Sequence, residues 1–252
     1  MDYARFSEEF KPIPIRRRSG LLGAATFRLR MVLDLQLLTC FRFLQPRLAA
    51  MQGKVLDVGC GEMPFRSLLP RSCSYTGIDV PLADQFGMTE SSDIVPFDGI
   101  HIPFPDASFD HILCTEVLEH VKYPEALIAE MLRVLRPAGT LVATVPFSAR
   151  VHHAPHDYHR FTPYRLSDMF SDFPGVEVEE RGDDLAVIAN KLIVVCMRLM
   201  KPSMALMWRL PLVILLSPAI VVSLVVAHLS LWLRLGSPAD PLGYGLDAKK
   251  AV

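Results

Sequence analysis

Asp57, Gly59, Gly61 and Asp79 form the most chemically pointed spacing in this sequence. They lie in "VLDVGCGEMPF" and "YTGIDV", two short apolar runs that each end in an acid. Gly59-Cys60-Gly61 lets the backbone turn sharply and come close to a ligand. Asp57 precedes the glycines, where a carboxylate can accept hydrogen bonds from an ammonium group. Asp79 follows about 20 residues on, where a carboxylate can accept from both hydroxyls of a ribose and disfavours a phosphorylated one. A dinucleotide fingerprint G-x-G-x-x-G requires a third glycine, and Pro64 occupies that position, which weakens a nicotinamide-oxidoreductase reading.

A second cluster lies in "PFSARVHHAPHDYHRFTPYRL": His152, His153, His156, Asp157, Tyr158, His159 and Arg160. An imidazole that titrates near neutrality suits removal of a proton from a hydroxyl. His153 and His156 are the candidate bases, Asp157 the carboxylate that would orient one of them, and Arg160 a holder for an acidic group on the other substrate. The competing reading is that Asp157, Tyr158 and Arg160 pin the loop to the sheet. His152 and His156 have the i, i+4 spacing of zinc-binding helices, but the H-E-x-x-H glutamate is missing and Pro155 interrupts a helix, so no metal ion is expected.

Alternating apolar runs position these residues. Strands are expected at "KVLDVG", "YTGIDV", "SDIVPFDG", "FDHILCTEV", "TLVATVPF" and "GVEVEERG". Helices are expected over 21–50, at "EMPFRSLL", at "YPEALIAEMLRVLRPAGT" ended by Pro137 to Gly139, and at "FTPYRLSDMF" with Thr162 as N-cap. Strands alternating with helices imply a parallel sheet with right-handed crossovers, and ligands bind beyond the carboxyl ends of such strands. The five cysteines are scattered without a C-x-x-C pair, which points to a reducing compartment. Asp2, Glu8 and Glu9 with no early apolar stretch argue against a secretory signal. Net charge is −1, so overall charge offers no case for nucleic acid as a partner.

The D-x-G-x-G loop, the acid at Asp79 and the long block "DGIHIPFPDASFDHILCTEVLEHVKYPEALIAEMLRVLRPAGTLVATVPF" resemble class I S-adenosyl-L-methionine (SAM)-dependent methyltransferases. The likeness is to the small-molecule type 11 group and covers about Lys54 to Phe147. Met63 stands where many members have a third glycine, and Ala138 replaces the first glycine of their PGG turn. The resemblance implies a Rossmann-like, doubly wound α/β fold: a mostly parallel seven-stranded sheet of order 3-2-1-4-5-7-6, with the last strand antiparallel. It implies SAM as cofactor. Gly59, Cys60 and Gly61 would pass under its methionine part, Asp57 would hold its amino group, and Asp79 its ribose. Asp98 would lie near the adenine, and Cys114, Thr115 and Glu116 would line the pocket. His120, within the matching "LEHV", is read as a half-buried structural histidine. The histidine loop resembles a segment of methyltransferases of bacterial cell-surface saccharide and lipid synthesis.

"RLPLVILLSPAIVVSLVVAHLSLWLRL" has no charged side chain from Leu210 to Leu233. As one helix it would be about 36 Å long, enough to cross a bilayer core of about 30 Å. The following "DPLGYGLDAKK" resembles the last strand of the same methyltransferases, so the apolar run is an insertion whose two ends return to one sheet. It must therefore cross a membrane an even number of times, zero included. Pro218 predicts a kink into two pieces too short to span, and Trp208 and Trp232 bracket the run as interface anchors. Basic residues at Arg16, Arg17, Arg18, Lys191, Arg198, Lys201, Arg209 and Arg234 suit anionic lipid. The expected organisation is a basic helical extension (1–50), a SAM-binding core (51–184), a membrane-associating insertion (185–236), and a last strand with tail (237–252). The expected protein sits at the cytoplasmic face of a membrane, monotopic or as a two-crossing hairpin. It would methylate a hydroxyl of a small-molecule, lipid or lipid-linked saccharide acceptor, without nucleic acid. The alternative is a non-catalytic SAM-fold scaffold held at the membrane.

Overall fold

In the computed structural model, which describes residues 11–17, 20–81, 92–201 and 206–252, β1 (Lys54–Val58) runs through the middle of a seven-stranded sheet. It pairs in parallel with β2 (Ser74–Asp79) on one side and β4 (Phe109–Thr115) on the other. β3 (Ile94–Pro96) extends the β2 side, and β5 (Leu135–Pro146) extends the β4 side. β7 (Gly243–Lys249) lies antiparallel between β5 and β6 (Gly175–Arg181). The order β3-β2-β1-β4-β5-β7-β6 is the expected one. Asp2, Glu8, Glu9 and Arg18 lie outside the described residues.

Central strands bury both faces, as parallel strands flanked by helices must. Alternate residues therefore feed two cores. Leu56, Val58, Ile112, Cys114, Leu141 and Ala143 face one side, with Leu127, Ile128 and Met131 of α3 (Pro124–Val134). Val55, Leu113 and Val142 face the other, with Phe43, Leu44 and Leu48 of α2 (Leu35–Ala49). Each such apolar side chain contributes about 1.5–3 kcal/mol when fully buried.

Three local expectations are corrected. Residues 21–50 form two helices, α1 (Gly20–Leu33) and α2, because Asp34 leaves the helical conformation and accepts from Leu37 N at 3.0 Å as N-cap of the second. "EMPFRSLL" forms only a 3-10 turn at Arg66–Leu68, because Met63 adopts φ 51° and Pro64 follows it. The helix of "YPEALIAEMLRVLRPAGT" ends at Val134, and Leu135 already pairs with Phe109, so β5 begins five residues earlier than Thr140. α4 (Pro163–Met169) starts as expected, with Thr162 Oγ1 accepting from Arg165 N.

α5 (Asp184–Leu199) leaves the sheet directly after β6, and α6 (Leu206–Leu233) returns to β7. Gly243 pairs with both Pro146 and Arg181. The hairpin thus departs from and returns to the edge where the parallel strands end. The base is held by Asp183, which caps α5 at Ala186 N (2.8 Å) and accepts from Ser230 Oγ of α6 (2.5 Å). His228 Nε2 lies 2.9 Å from Val32 O of α1. Contrary to the expected kink, α6 is one continuous helix through Pro211 and Pro218. Pro218 has no N–H for the carbonyl of Ile214, and Ser217 Oγ donates to that carbonyl instead, at 2.8 Å. An 18-residue apolar window of α6 is only 11% buried.

Candidate cofactor and acceptor site

Asp57 closes β1 with its side chain 2% exposed. Its Oδ2 accepts from Tyr75 Oη at 2.7 Å, and its Oδ1 is buried with no hydrogen-bond partner. Burial pushes its pKa up to about 7, against the Tyr75 bond, and the Asp79 charge adds to the rise. Asp79, at the end of β2, accepts from Gly61 N and from Val80 N, both at 2.7 Å. The carboxylate therefore clamps the glycine turn. Burial raises its pKa too, opposed by those two backbone donors. Gly59 has φ 68°, and a Cβ there would meet Val117 Cγ2 at 2.5 Å, so the turn admits no side chain.

The other predicted positions differ in what they offer. Cys60 is 3% exposed and Cys114 is fully buried. Asp98 is exposed, and its carboxylate accepts from Ile100 N and His101 N and bonds the His101 ring at 2.7 Å. Glu116 has φ 54° and accepts from Arg181 Nη2 at 2.6 Å; that guanidinium also meets Cys40 Sγ and Val145 O. Thr115 is half-buried at the end of β4.

The histidine loop follows β5 and folds back over the turn after β4. Tyr158 N and His159 N donate to Glu119 O at 2.8 and 3.3 Å, and His120 Nδ1 lies 2.6 Å from His156 O. Asp157 is 2% exposed; burial opposes its ionisation, yet Arg160 and His152 hold its pKa well below the usual carboxylate range. Its partners are Arg160 Nη1 (2.6 Å) and Nη2 (2.8 Å), His152 N (2.9 Å) and His152 Nδ1 (3.2 Å). The predicted pairing of Asp157 with His153 or His156 is thus replaced by pairing with His152, and Arg160 is committed to Asp157 rather than to a substrate acid. His156 Nδ1 lies 3.3 Å from Tyr158 Oη, and His153 takes φ 56° with its ring edge-on to that of His120 at 5.3 Å. Burial pushes the His120 pKa down to about 4, with the His152 charge adding to the fall.

Comparison with known proteins follows this geometry. Residues 56–143, which run from β1 through β5, match a family model for a methyltransferase domain. Among curated relatives, a phthiotriol/phenolphthiotriol dimycocerosates methyltransferase of Mycobacterium ulcerans is 35% identical over 99 residues, 36% of each chain. A sterol 24-C-methyltransferase of Gibberella zeae is 33% identical over 97 residues, 34% of this chain and 26% of its own. The chain spans 40% or less of the length of the curated relatives it matches first. A SAM-dependent methyltransferase from Archaeoglobus fulgidus superposes with a TM-score of 0.53 at 17% identity, covering 89% of this chain and 99% of that one. The [4+2]-cyclase SpnF gives 0.53 at 22% identity, covering 86% and 83%. These structural likenesses show the fold.

The residues present suit SAM, the cofactor that the resemblance implies. The orphaned Asp57 Oδ1 is a buried acceptor awaiting a cationic donor such as an ammonium. Sequence reasoning missed Tyr75 in the domain, although the strand period was a signal. Tyr75, Gly77 and Asp79 share one face of β2, and Gly77 is in register with Asp57. It also missed Arg181, a buried guanidinium whose partners come from distant segments, and Glu119, a fully buried carboxyl.

Proposed function

We propose that this chain is a membrane-bound enzyme that transfers the methyl group of SAM to a hydroxyl of an amphiphilic acceptor, a lipid or a lipid-linked saccharide, on the cytoplasmic side. The unpartnered Asp57 Oδ1 beside the Gly59 turn is the observation that carries the reading, because a binding site left intact is what catalysis needs. SAM supplies an already activated methyl group, so the protein's work is positioning, exclusion of water and removal of one proton. Asp57 and Asp79 orient the donor, Asp98, Cys114, Thr115 and Glu116 border it through backbone or side chain, and His153 or His156 takes the hydroxyl proton. Asp157 acts at one remove, by fixing the loop through His152 and Arg160.

The membrane part rests on α6. Met207, Trp208, Ile214, Leu215, Val221 and Trp232 are at least 60% exposed, as are Leu21 and Leu22 of α1. An apolar face this large belongs against a partner or a bilayer. Arg198, Lys201 and Arg209 gather at the far end of the α5–α6 hairpin. Carrying three cations across a hydrocarbon core is costly, which favours a hairpin lying in one interface with its basic end among anionic headgroups. The relatives named above as phthiotriol and sterol methyltransferases support a lipid acceptor.

Membranes from cells making this chain, incubated with methyl-labelled SAM, should pass label to the lipid-extractable or lipid-linked saccharide fraction. Asp57→Ala should abolish the transfer. SAM binding by the purified protein with no label in any fraction would replace the enzyme by a SAM-fold scaffold.

A further inference from the structure

Glu119, His120 and His152 make a second, unassigned constellation. The Glu119 carboxyl is 0% exposed, and neither oxygen has a hydrogen-bond partner. His120 Nε2 lies 3.6 Å from its Oε1, and His152 Nε2 lies 3.9 Å from the same atom. One ligand atom from each of the three residues fits within a 4.8 Å span.

The outer contacts set the chemistry of the inner atoms. His120 Nδ1 faces His156 O at 2.6 Å. His152 Nδ1 faces Arg150 O at 3.1 Å and Asp157 Oδ2 at 3.2 Å. Those partners are acceptors only, so each Nδ1 carries the proton and each Nε2 presents a lone pair. Two lone pairs and a carboxylate then converge with no donor between them. Such a group repels itself unless its charge is offset, by a cation at its centre or by a proton held on Glu119. Imidazoles whose other nitrogen donates to a carbonyl or carboxylate are the arrangement that orients metal-binding histidines.

From this geometry we propose that Glu119, His120 and His152 bind a divalent transition-metal ion, zinc by the chemistry of its ligands, in the turn between the cofactor cleft and the histidine loop. Two imidazoles and one carboxylate suit zinc and leave a fourth position open. A tetrahedral ion at about 2.0–2.1 Å from its ligands sets them about 3.4 Å apart, so the pocket closes by at most about 1.4 Å. The two imidazoles retain some exposure, 21% and 17%, whereas the Glu119 carboxyl has none. The i, i+4 pair of His152 with His156, set aside in the sequence as a metal site, is not this site: His156 contributes its carbonyl to the outer ring. The proposal stands apart from methyl transfer.

Full-length, tag-free protein stripped with a chelator and titrated with Zn²⁺ in a calorimeter tests it. One ion should bind per chain, and His101→Ala, at the surface Asp98–His101 pair, should leave that stoichiometry unchanged. Glu119→Gln and His152→Ala should each weaken binding by about 100-fold, and Asp157→Asn by about 10-fold. Zn²⁺ should raise the thermal midpoint of the wild type and not that of Glu119→Gln. If Glu119→Gln does not fold, the loop variant His152→Ala decides alone. Folded wild type that takes up no zinc, or zinc binding that survives His152→Ala, would overturn the proposal; the first result would make Glu119 a buried neutral acid.

Discussion

At the proposed site, Asp57 would couple cofactor binding to protons. Its folded pKa is raised to about 7, above its ordinary value, so in the ligand-free protein the associated stability is complete below the ordinary carboxylate range and is lost as pH rises through 7. A cationic ammonium favours the ionised form. Affinity for SAM should therefore rise as pH climbs towards 7 and level off above it, by up to about tenfold per unit below the midpoint. Calorimetric titration at several pH values reads this directly, and Asp57→Asn should be both weaker and flat. His153 and His156 make a separate test. Replacing both by alanine should lower kcat by about 100-fold while leaving the SAM dissociation constant unchanged. Unchanged turnover would leave positioning alone as the source of rate. The positions of Asp57, Gly59 and Asp79 were legible for a local reason: they lie at or beside the strand ends that the apolar runs mark. The partner of Asp157 was not legible, because four histidines lie within eight residues and only the fold of the loop selects His152.

Elements show where local pattern and tertiary context part company. Ala138 stands where relatives of this type have glycine, and it takes φ 62° with its methyl exposed. A left-handed conformation costs a residue with a Cβ about 1–2 kcal/mol, partly offset by the greater freedom of glycine when unfolded. Ala138→Gly should therefore stabilise by up to about 1 kcal/mol, and denaturant unfolding should move to higher midpoint with unchanged slope. The apolar run was legible from composition, but the bond that Ser217 donates to the Ile214 carbonyl, which Pro218 leaves without an N–H, was not. For the hairpin, flotation with vesicles containing anionic lipid should recover wild type. Trp208→Glu combined with Trp232→Glu should reduce recovery several-fold, and high salt should reduce it less, since most of the contact is apolar. Recovery unaffected by both substitutions would assign the α6 face to a protein partner.

At the scale of the molecule, the sheet was readable because each buried strand carries its own apolar run, and the resemblance supplied the position of the seventh. The helices around it were less readable. α2 covers the sheet through contacts with β7 about 200 residues away: Arg47 bonds Asp247 at 2.7 Å, and a Cβ on Gly245 would meet the Phe43 ring at 2.3 Å. No local signal announces such a partnership. The hairpin's two ends have a further consequence. Arg181 and Gly243 face each other across one pair of strands, so the excursion between them is moored at both feet. A domain on a single stalk swings freely over a surface, whereas one moored twice along a sheet edge keeps a fixed tilt. On a bilayer, that tilt would turn the protein into a depth gauge. The methylated atom would be chosen by its height above the headgroup plane as much as by the chemistry around it, and acceptors alike in structure but longer or shorter by a sugar would be told apart.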